Sequence, residues 1–318
     1  MQSRKPLFFA VGAASLAAVA ALGVGVATAH KPSSRADVSS TTPSSTSSAS
    51  PSSASGSSSS SPSNSADGAP AGGAAAVDTA AIEKALLAYI DTRGGDAAIA
   101  VYDRKTGTSV SVNGSDEFQT ASIVKVDIIA ALMLQRQADG ESLSSQEKAW
   151  AKAAITASDN DAATSLFQAI GGRSGLVAAN KTLGLTETTP SSSWGMTTTT
   201  VDDQVRLMST ISDANGPLSA ANRALLQGWM ANVIDEQRFG VTAGATSDAI
   251  AVYVKVGWVD LDDEGGLYAA NSIGRIVEDD HDWVIAVLSD HNRNLSTGKT
   301  LVDGTVTKAM SLLRASDG

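Results

Sequence analysis

From residue 80 to about 313 the apolar positions alternate between helical and strand-like spacing, and the order of those periods predicts an architecture. Residues 80–92 repeat at helical spacing. Residues 97–101 and 110–112 are short apolar, β-favouring runs joined by the turn sequence DRKTGTS, which predicts a hairpin. Residues 122–136 are apolar on every face, the mark of a helix enclosed by protein rather than lying on its surface. The next helix, to about 157, opens with a capping box from Ser144 to Glu147. Helical periods follow at 162–169, 175–180, 202–211 and 220–233. Three strand-like runs then occupy 250–256, 268–276 and 283–288, and an amphipathic helix at 300–313 closes the pattern. Strands at both ends and helices between them predict an α+β fold. One antiparallel sheet of about five strands is assembled from both chain ends, flanked by helices, with an all-helical subdomain inserted.

The first 77 residues follow no such period. Residues 1–29 carry Arg4 and Lys5, an uncharged apolar stretch from 6 to 29, and the small-x-small sequence Ala27-Thr28-Ala29, as in an export signal. The same stretch is long enough to anchor the chain in a membrane uncleaved. From 33 to 65, 19 of 33 residues are serine, so 30–77 reads as a tether with little to bury, and 78–318 as the folded domain. The chain is therefore expected outside the cytosol, secreted or associated with the cell envelope, and monomeric.

Of the net charge of −10, residues 1–77 contribute +2 (Arg4, Lys5, Lys31 and Arg35 against Asp37 and Asp67), leaving −12 on the domain. So acidic a surface argues against nucleic acid as a partner. The chain has no cysteine, which excludes disulfides, thiolate catalysis, thiolate metal sites and a lipid-modified cysteine. Any nucleophile is oxygen or nitrogen, and nothing in the pattern calls for a metal or cofactor.

Ser-x-x-Lys occurs three times, at Ser122/Lys125, Ser145/Lys148 and Ser296/Lys299. The second lies in the first turn of a polar helix and the third in the turn-like stretch NLSTGKT; only the first opens the enclosed helix. Residues three apart share a helical face, so a lysine desolvated there would have a lowered pKa and could take the serine proton. The alternative is a helix-capping serine beside a lysine that reaches solvent. The triplet Ser158-Asp159-Asn160 occurs once, at a boundary between helices, where a cap is the structural alternative.

Ser122-Ile-Val-Lys125 together with Ser158-Asp159-Asn160 resembles the first two motifs of class A β-lactamases and penicillin-binding proteins. The third motif is Lys-Thr/Ser-Gly on a strand. The literal Lys105-Thr106-Gly107 lies in the first hairpin turn, before Ser122. The positional match is Lys255-Val256-Gly257-Trp258. MTTTTVDDQVRLM also resembles the family's threonine-rich entry to a helix, so the likeness extends over about residues 80–315. The resemblance implies Ser122 as nucleophile, Lys125 as its base, Ser158 as proton relay and Asn160 as substrate amide ligand. Lys255 would serve the substrate carboxylate and Gly257 would leave room for substrate backbone. The backbone N–H groups of Ser122 and Trp258 would form an oxyanion hole.

Departures from the family pattern are also legible. Val256 replaces a hydroxyl residue. The interval between Lys125 and Ser158 is short. LTETTPSSSWGM is a shortened omega loop whose one carboxylate, Glu187, reads as a surface acid rather than the base that activates water. The resemblance implies an exported serine hydrolase that β-lactams or wall peptides acylate at Ser122, with hydrolysis of β-lactams; a D,D-peptidase or penicillin-binding protein with slow deacylation, which the missing base would allow, is the alternative. The substrates implied are β-lactams or the D-Ala-D-Ala end of wall peptides, against the alternative of a wall-binding protein without turnover. Arg238 is a candidate for a substrate carboxylate. His281 and His291 read as surface residues, and the calcium-loop-like stretch from Asp260 to Gly265 as a solvated turn.

Overall fold

Asp78 starts the first helix, α1 (Thr79–Asp91), by accepting the N–H of Ala81, and Ile82, Leu86 and Ile90 form its buried stripe at four-residue spacing. The structure is a computed structural model, and it describes residues 77–261 and 265–316. The expected signal and tether lie outside the described residues. After α1 come β1 (Asp96–Asp103) and β2 (Ser109–Val112), an antiparallel hairpin with Ile99 opposite Val112. The sheet is completed from the other end of the domain by β5 (Ala251–Leu261), β6 (Leu267–Val277) and β7 (Asp282–Asp290). Its order is β2-β1-β7-β6-β5, antiparallel throughout. The expected five-stranded sheet from both chain ends is thus present. Central β7 is buried at every position but its last, which is why Trp283 to Leu288 reads as a continuous apolar run rather than an alternation. The last helix, α8 (Leu295–Ser316), packs on α1 and on the sheet.

Between the two sheet-forming segments lie α2 (Val124–Ala138), α3 (Ser145–Thr156), α4 (Asn160–Ala169), α5 (Gly172–Leu183), α6 (Val201–Ser212) and α7 (Ala220–Ala231). The capping box of α3 is formed in full. In α2 every side chain from Val124 to Met133 is buried, Lys125 and Asp127 included. Among the described residues no helix is long and apolar enough to cross a membrane.

Several boundaries differ from the sequence pattern. Ser122 precedes α2, on a 3-10 turn over Ala121–Ile123. Helix α8 begins at Leu295, where Asn294 Oδ1 accepts the N–H of Thr297, so Ser296 and Lys299 are helical rather than in a turn. Strand β5 continues to Leu261, which puts Asp260 in the sheet. A two-residue ribbon, β3 (Phe118–Gln119) with β4 (Thr198–Thr199), is too short to have left a period in the sequence.

The short loop from 185 to 196 is moored to α6 through Asp203. That fully buried carboxylate accepts from the N–H of Glu187 at 2.8 Å, the N–H of Thr186 at 3.3 Å and the hydroxyl of Thr188 at 2.8 Å. Asp127 of α2 is equally buried. Burial first, then the charge of Asp203, pushes its carboxyl up to about 8. Because the folded pKa is raised, Asp127 favours the fold fully below its unfolded pKa near 4, and that contribution is lost as pH rises towards 8. Asp127→Asn keeps the shape and removes the titration. It is expected to melt several degrees higher than the parent at pH 8 and to show a flatter dependence of Tm on pH between 4 and 8. An unchanged slope would assign that dependence to other groups.

Candidate active site

Ser122 is held where β5 and the 3-10 turn touch. A Cβ built on Gly257 would lie 2.6 Å from Ser122 N, 2.8 Å from Ile123 N and 2.9 Å from Thr120 O, so only a glycine lets the edge strand approach this closely. From β6, Asn271 Nδ2 donates to Gln119 O at 2.8 Å and to Thr120 O at 3.2 Å, while its Oδ1 accepts from Ser289 N. The turn is thereby strapped to the sheet. Ala121 takes a left-handed φ of 47°, a conformation costing a non-glycine residue about 1–2 kcal/mol and maintained here by those contacts. Ser122 itself remains half-exposed beside the edge strand. It caps no helix: the cap position of α2 is Ile123, without a side-chain hydrogen bond.

The Ser-Asp-Asn triplet divides its work. Asp159 caps α4 by accepting the N–H of Ala162 at 2.8 Å, and Ser158 turns into the left-handed region at φ 58°. This leaves Ser158 and Asn160 free to face Lys125. Its Nζ donates to Ser158 O at 2.6 Å, Asn160 Oδ1 at 2.8 Å and Ser158 Oγ at 3.1 Å. On the other side of the same hydroxyl stands Lys255, whose Nζ donates to Val256 O at 2.7 Å, Ser158 Oγ at 3.1 Å and Gln237 Oε1 at 3.3 Å. Ser158 Oγ therefore bridges two buried amines. Burial lowers Lys125 to about 8, partly offset by the charge of Asp159. Lys255 is held well below the ordinary lysine range, by burial and then by the neighbouring charge of Lys125. Two amines whose charged forms burial disfavours, linked by one hydroxyl, can accept a proton and pass it on.

Of the remaining sequence candidates, Trp258 follows Gly257 on β5 and packs its ring against Phe239 at 6.2 Å, with Lys299 Nζ about 5 Å over both rings. Val256 is fully buried, so this position presents no side chain to solvent. Glu187 is exposed, and its Oε2 accepts from Thr200 Oγ1 at 3.2 Å. Arg238 is exposed as well; its neighbour Gln237, buried on a 3-10 turn, is the residue that meets Lys255. Gln237 and Asn271 carried no sequence signal, because each acts through a partner distant along the chain. The same holds for Trp194, whose indole lies over Lys125 with Nζ 5.0 Å from the ring centre.

Lys105 sits in the first hairpin turn, its amine on the carbonyls of Glu278 and Asp279. His281 departs from the surface reading: it stacks on Trp283 at 4.5 Å, pairs with Asp103 at 2.8 Å, and only 17% of its side chain is exposed. His291 is more open and lies 2.9 Å from the carboxylates of Asp96 and Asp290.

The chain matches the model of a family described as the Beta-lactamase enzyme family, over residues 81–150 and 133–309. LppW of Mycobacterium tuberculosis, named as a lipoprotein, is 29% identical over 174 residues, which make up 52% of this chain and 55% of LppW. LppW of Mycobacterium bovis matches identically. The chain thus spans about half the length of the curated relatives it matches. Among solved structures, PBP-A superposes with a TM-score of 0.64 at 18% identity, covering 74% of this chain and 96% of that one. The TLA-1 extended-spectrum β-lactamase gives 0.66 at 17%, covering 74% and 99%. An ancestral class A β-lactamase gives 0.62 at 22%, covering 72% and 99%. At these identities the three structures share a fold with this chain.

Proposed function

The chain belongs to the β-lactamase enzyme family, and we propose that it is an exported, penicillin-binding serine acyltransferase that β-lactams or D-Ala-D-Ala wall peptides acylate at Ser122 and that releases the acyl group slowly. The observation that carries this reading is the bridged hydroxyl: Ser158 Oγ at 3.1 Å from both Lys125 and Lys255. In the proposed step the neutral amine of Lys125 takes the proton of Ser122 as its Oγ bonds to the substrate carbonyl carbon. The N–H groups of Ser122 and Trp258 receive the oxyanion. On collapse the carbon–nitrogen bond breaks, and Ser158 hands a proton to the departing nitrogen while regaining one from Lys125. Asn160 positions the substrate amide. A substrate carboxylate arriving near Lys255 would favour its protonated form.

Slow release follows from the loop. Hydrolysis of the acyl group needs a base for water, and the loop's one carboxylate, Glu187, is exposed and bonded to Thr200. The export signal and serine-rich tether support placement at the cell envelope, as does the lipoprotein name of LppW. With no cysteine in this chain, attachment would fall to the apolar stretch at 6–29 rather than to a cysteine-linked lipid.

Incubating the protein with penicillin G and a chromogenic cephalosporin, and reading intact mass alongside absorbance, tests this reading. A persistent adduct that is absent from Ser122→Ala is expected. Rapid turnover without accumulation would make the protein a β-lactamase instead. Neither adduct nor turnover, with wall peptides also unreacted, would favour a wall-binding protein without chemistry.

A further inference from the structure

We propose that Trp194 is a positioning residue that caps Lys125 and keeps water from the acyl group on Ser122, so that the shortened loop suppresses hydrolysis rather than promoting it. This deepens the acylation reading above and rests on it. The loop supplies an indole beside the amine of Lys125, and an indole N–H donates but takes no proton.

The placement is built in three ways. Trp194 Nε1 donates to Thr164 Oγ1 at 3.2 Å, and Thr164 donates in turn to Asn160 O at 2.9 Å; the side chain of Asn160 is itself a partner of Lys125. The indole is therefore tied to the same helix start that holds the lysine. Trp194 also begins a 3-10 turn, Trp194–Met196, whose following residues are fastened to the nucleophile's own segment. Thr120 N donates to Thr197 O at 2.8 Å, and Thr198 pairs with Gln119. Finally, Thr189 and Thr198 bridge the base of the loop, and Thr197 Oγ1 accepts from Ser191 N. A ring on so short and so anchored a loop has little room to swing aside.

The groups facing Lys125 are Ser158 and Asn160 by hydrogen bond, Asp159 and Lys255 by charge, and the face of Trp194. The one carboxylate among them, Asp159, is engaged in capping α4. Opening the indole's position would admit water next to an amine able to accept its proton.

The test compares Trp194→Ala and Trp194→Phe with the parent in two assays. In the first, the Ser122 adduct formed with penicillin G is followed by intact mass after excess drug is removed. Trp194→Ala is expected to shorten the adduct lifetime about ten-fold or more, while Trp194→Phe, which keeps a ring over the amine, stays within about three-fold of the parent. In the second, lysine side-chain resonances are titrated by NMR with no β-lactam present. The Lys125 titration, near 8 in the parent, should move upward in Trp194→Ala as water reaches the amine and stay in place in Trp194→Phe. An adduct lifetime in Trp194→Ala equal to the parent's overturns the proposal. Should the parent form no adduct, the acylation reading falls, and the titration decides the cap by itself: a Lys125 pKa that does not rise in Trp194→Ala overturns it.

Discussion

Lys125→Met is expected to yield a folded protein whose Ser122 is acylated at least about a thousand-fold more slowly than in the parent, judged by intact mass against time under excess penicillin G. Methionine fills nearly the volume of the lysine stem without its amine, so α2 keeps its packing. What disappears is the amine proposed to accept the Ser122 proton. Ser158 O and Asn160 Oδ1 lose this donor, while Ser158 Oγ keeps Lys255. Leaving such acceptors unpaired costs about 1–3 kcal/mol each when buried, but removing an amine that burial disfavours recovers part of it, so Tm should move little. In the parent, the acylation rate should rise with pH and level off above about 8, as Lys125 loses its proton. The same depressed pKa makes the fold more stable as pH climbs from about 8 towards the ordinary lysine value, because the unfolded chain still binds the proton the native state has released. Both dependences should vanish in Lys125→Met. A variant that acylated at the parent's rate with an unaltered pH profile would remove Lys125 from the mechanism.

The comparison of pattern with structure explains why some of this site is legible and some is not. Ser122 and Lys125 stand out from two equivalent spacings because the helix behind them is enclosed, and burial on all faces is visible as an uninterrupted apolar run. Ser158-Asp159-Asn160 is legible through its resemblance to a family motif, and the structure adds that Asp159 caps α4 while its neighbours meet Lys125. That one sheet is assembled from both ends follows from strands confined to the two ends of the domain; its strand order comes from the structure. Trp194, Gln237 and Asn271 reach the site from a loop, a 3-10 turn and a sheet interior, and no local period says which side chain of such segments turns inward. Arg238 drew attention by its charge, yet the residue before it makes the contact, since successive residues on a tight turn point in different directions. The ribbon of β3 and β4, two residues a side, has no period, although it fastens the loop beside Trp194 to the segment before Ser122.

Gly257→Ala is the substitution in which strand geometry alone should abolish most of the chemistry. Its added methyl carbon would come within 2.6–2.9 Å of three backbone atoms, Ser122 N, Ile123 N and Thr120 O, where ordinary contact begins at 3.4 Å. No side-chain rotation relieves a clash with backbone, so either β5 bows outward or the turn shifts. The turn is restrained by Asn271 from β6 and by Thr197 through Thr120 N, which leaves the edge strand as the partner that yields. Either movement separates the N–H of Ser122 from that of Trp258, the pair proposed to share the oxyanion. A displacement of about 1 Å at such a site costs on the order of a hundred-fold in rate. Overpacking adds about 1–3 kcal/mol of destabilisation, a fall of several degrees in Tm. Gly228→Ala is the matched control: it lies within α7 with open space around its Cβ position and should be neutral or stabilising by up to about 1 kcal/mol. The discriminating result is a Gly257→Ala protein that remains folded, still shows Lys125 titrating near 8, and is acylated about a hundred-fold more slowly than Gly228→Ala. Acylation at the control's rate would mean that the close approach of β5 to the turn does not set the position of the oxyanion donors.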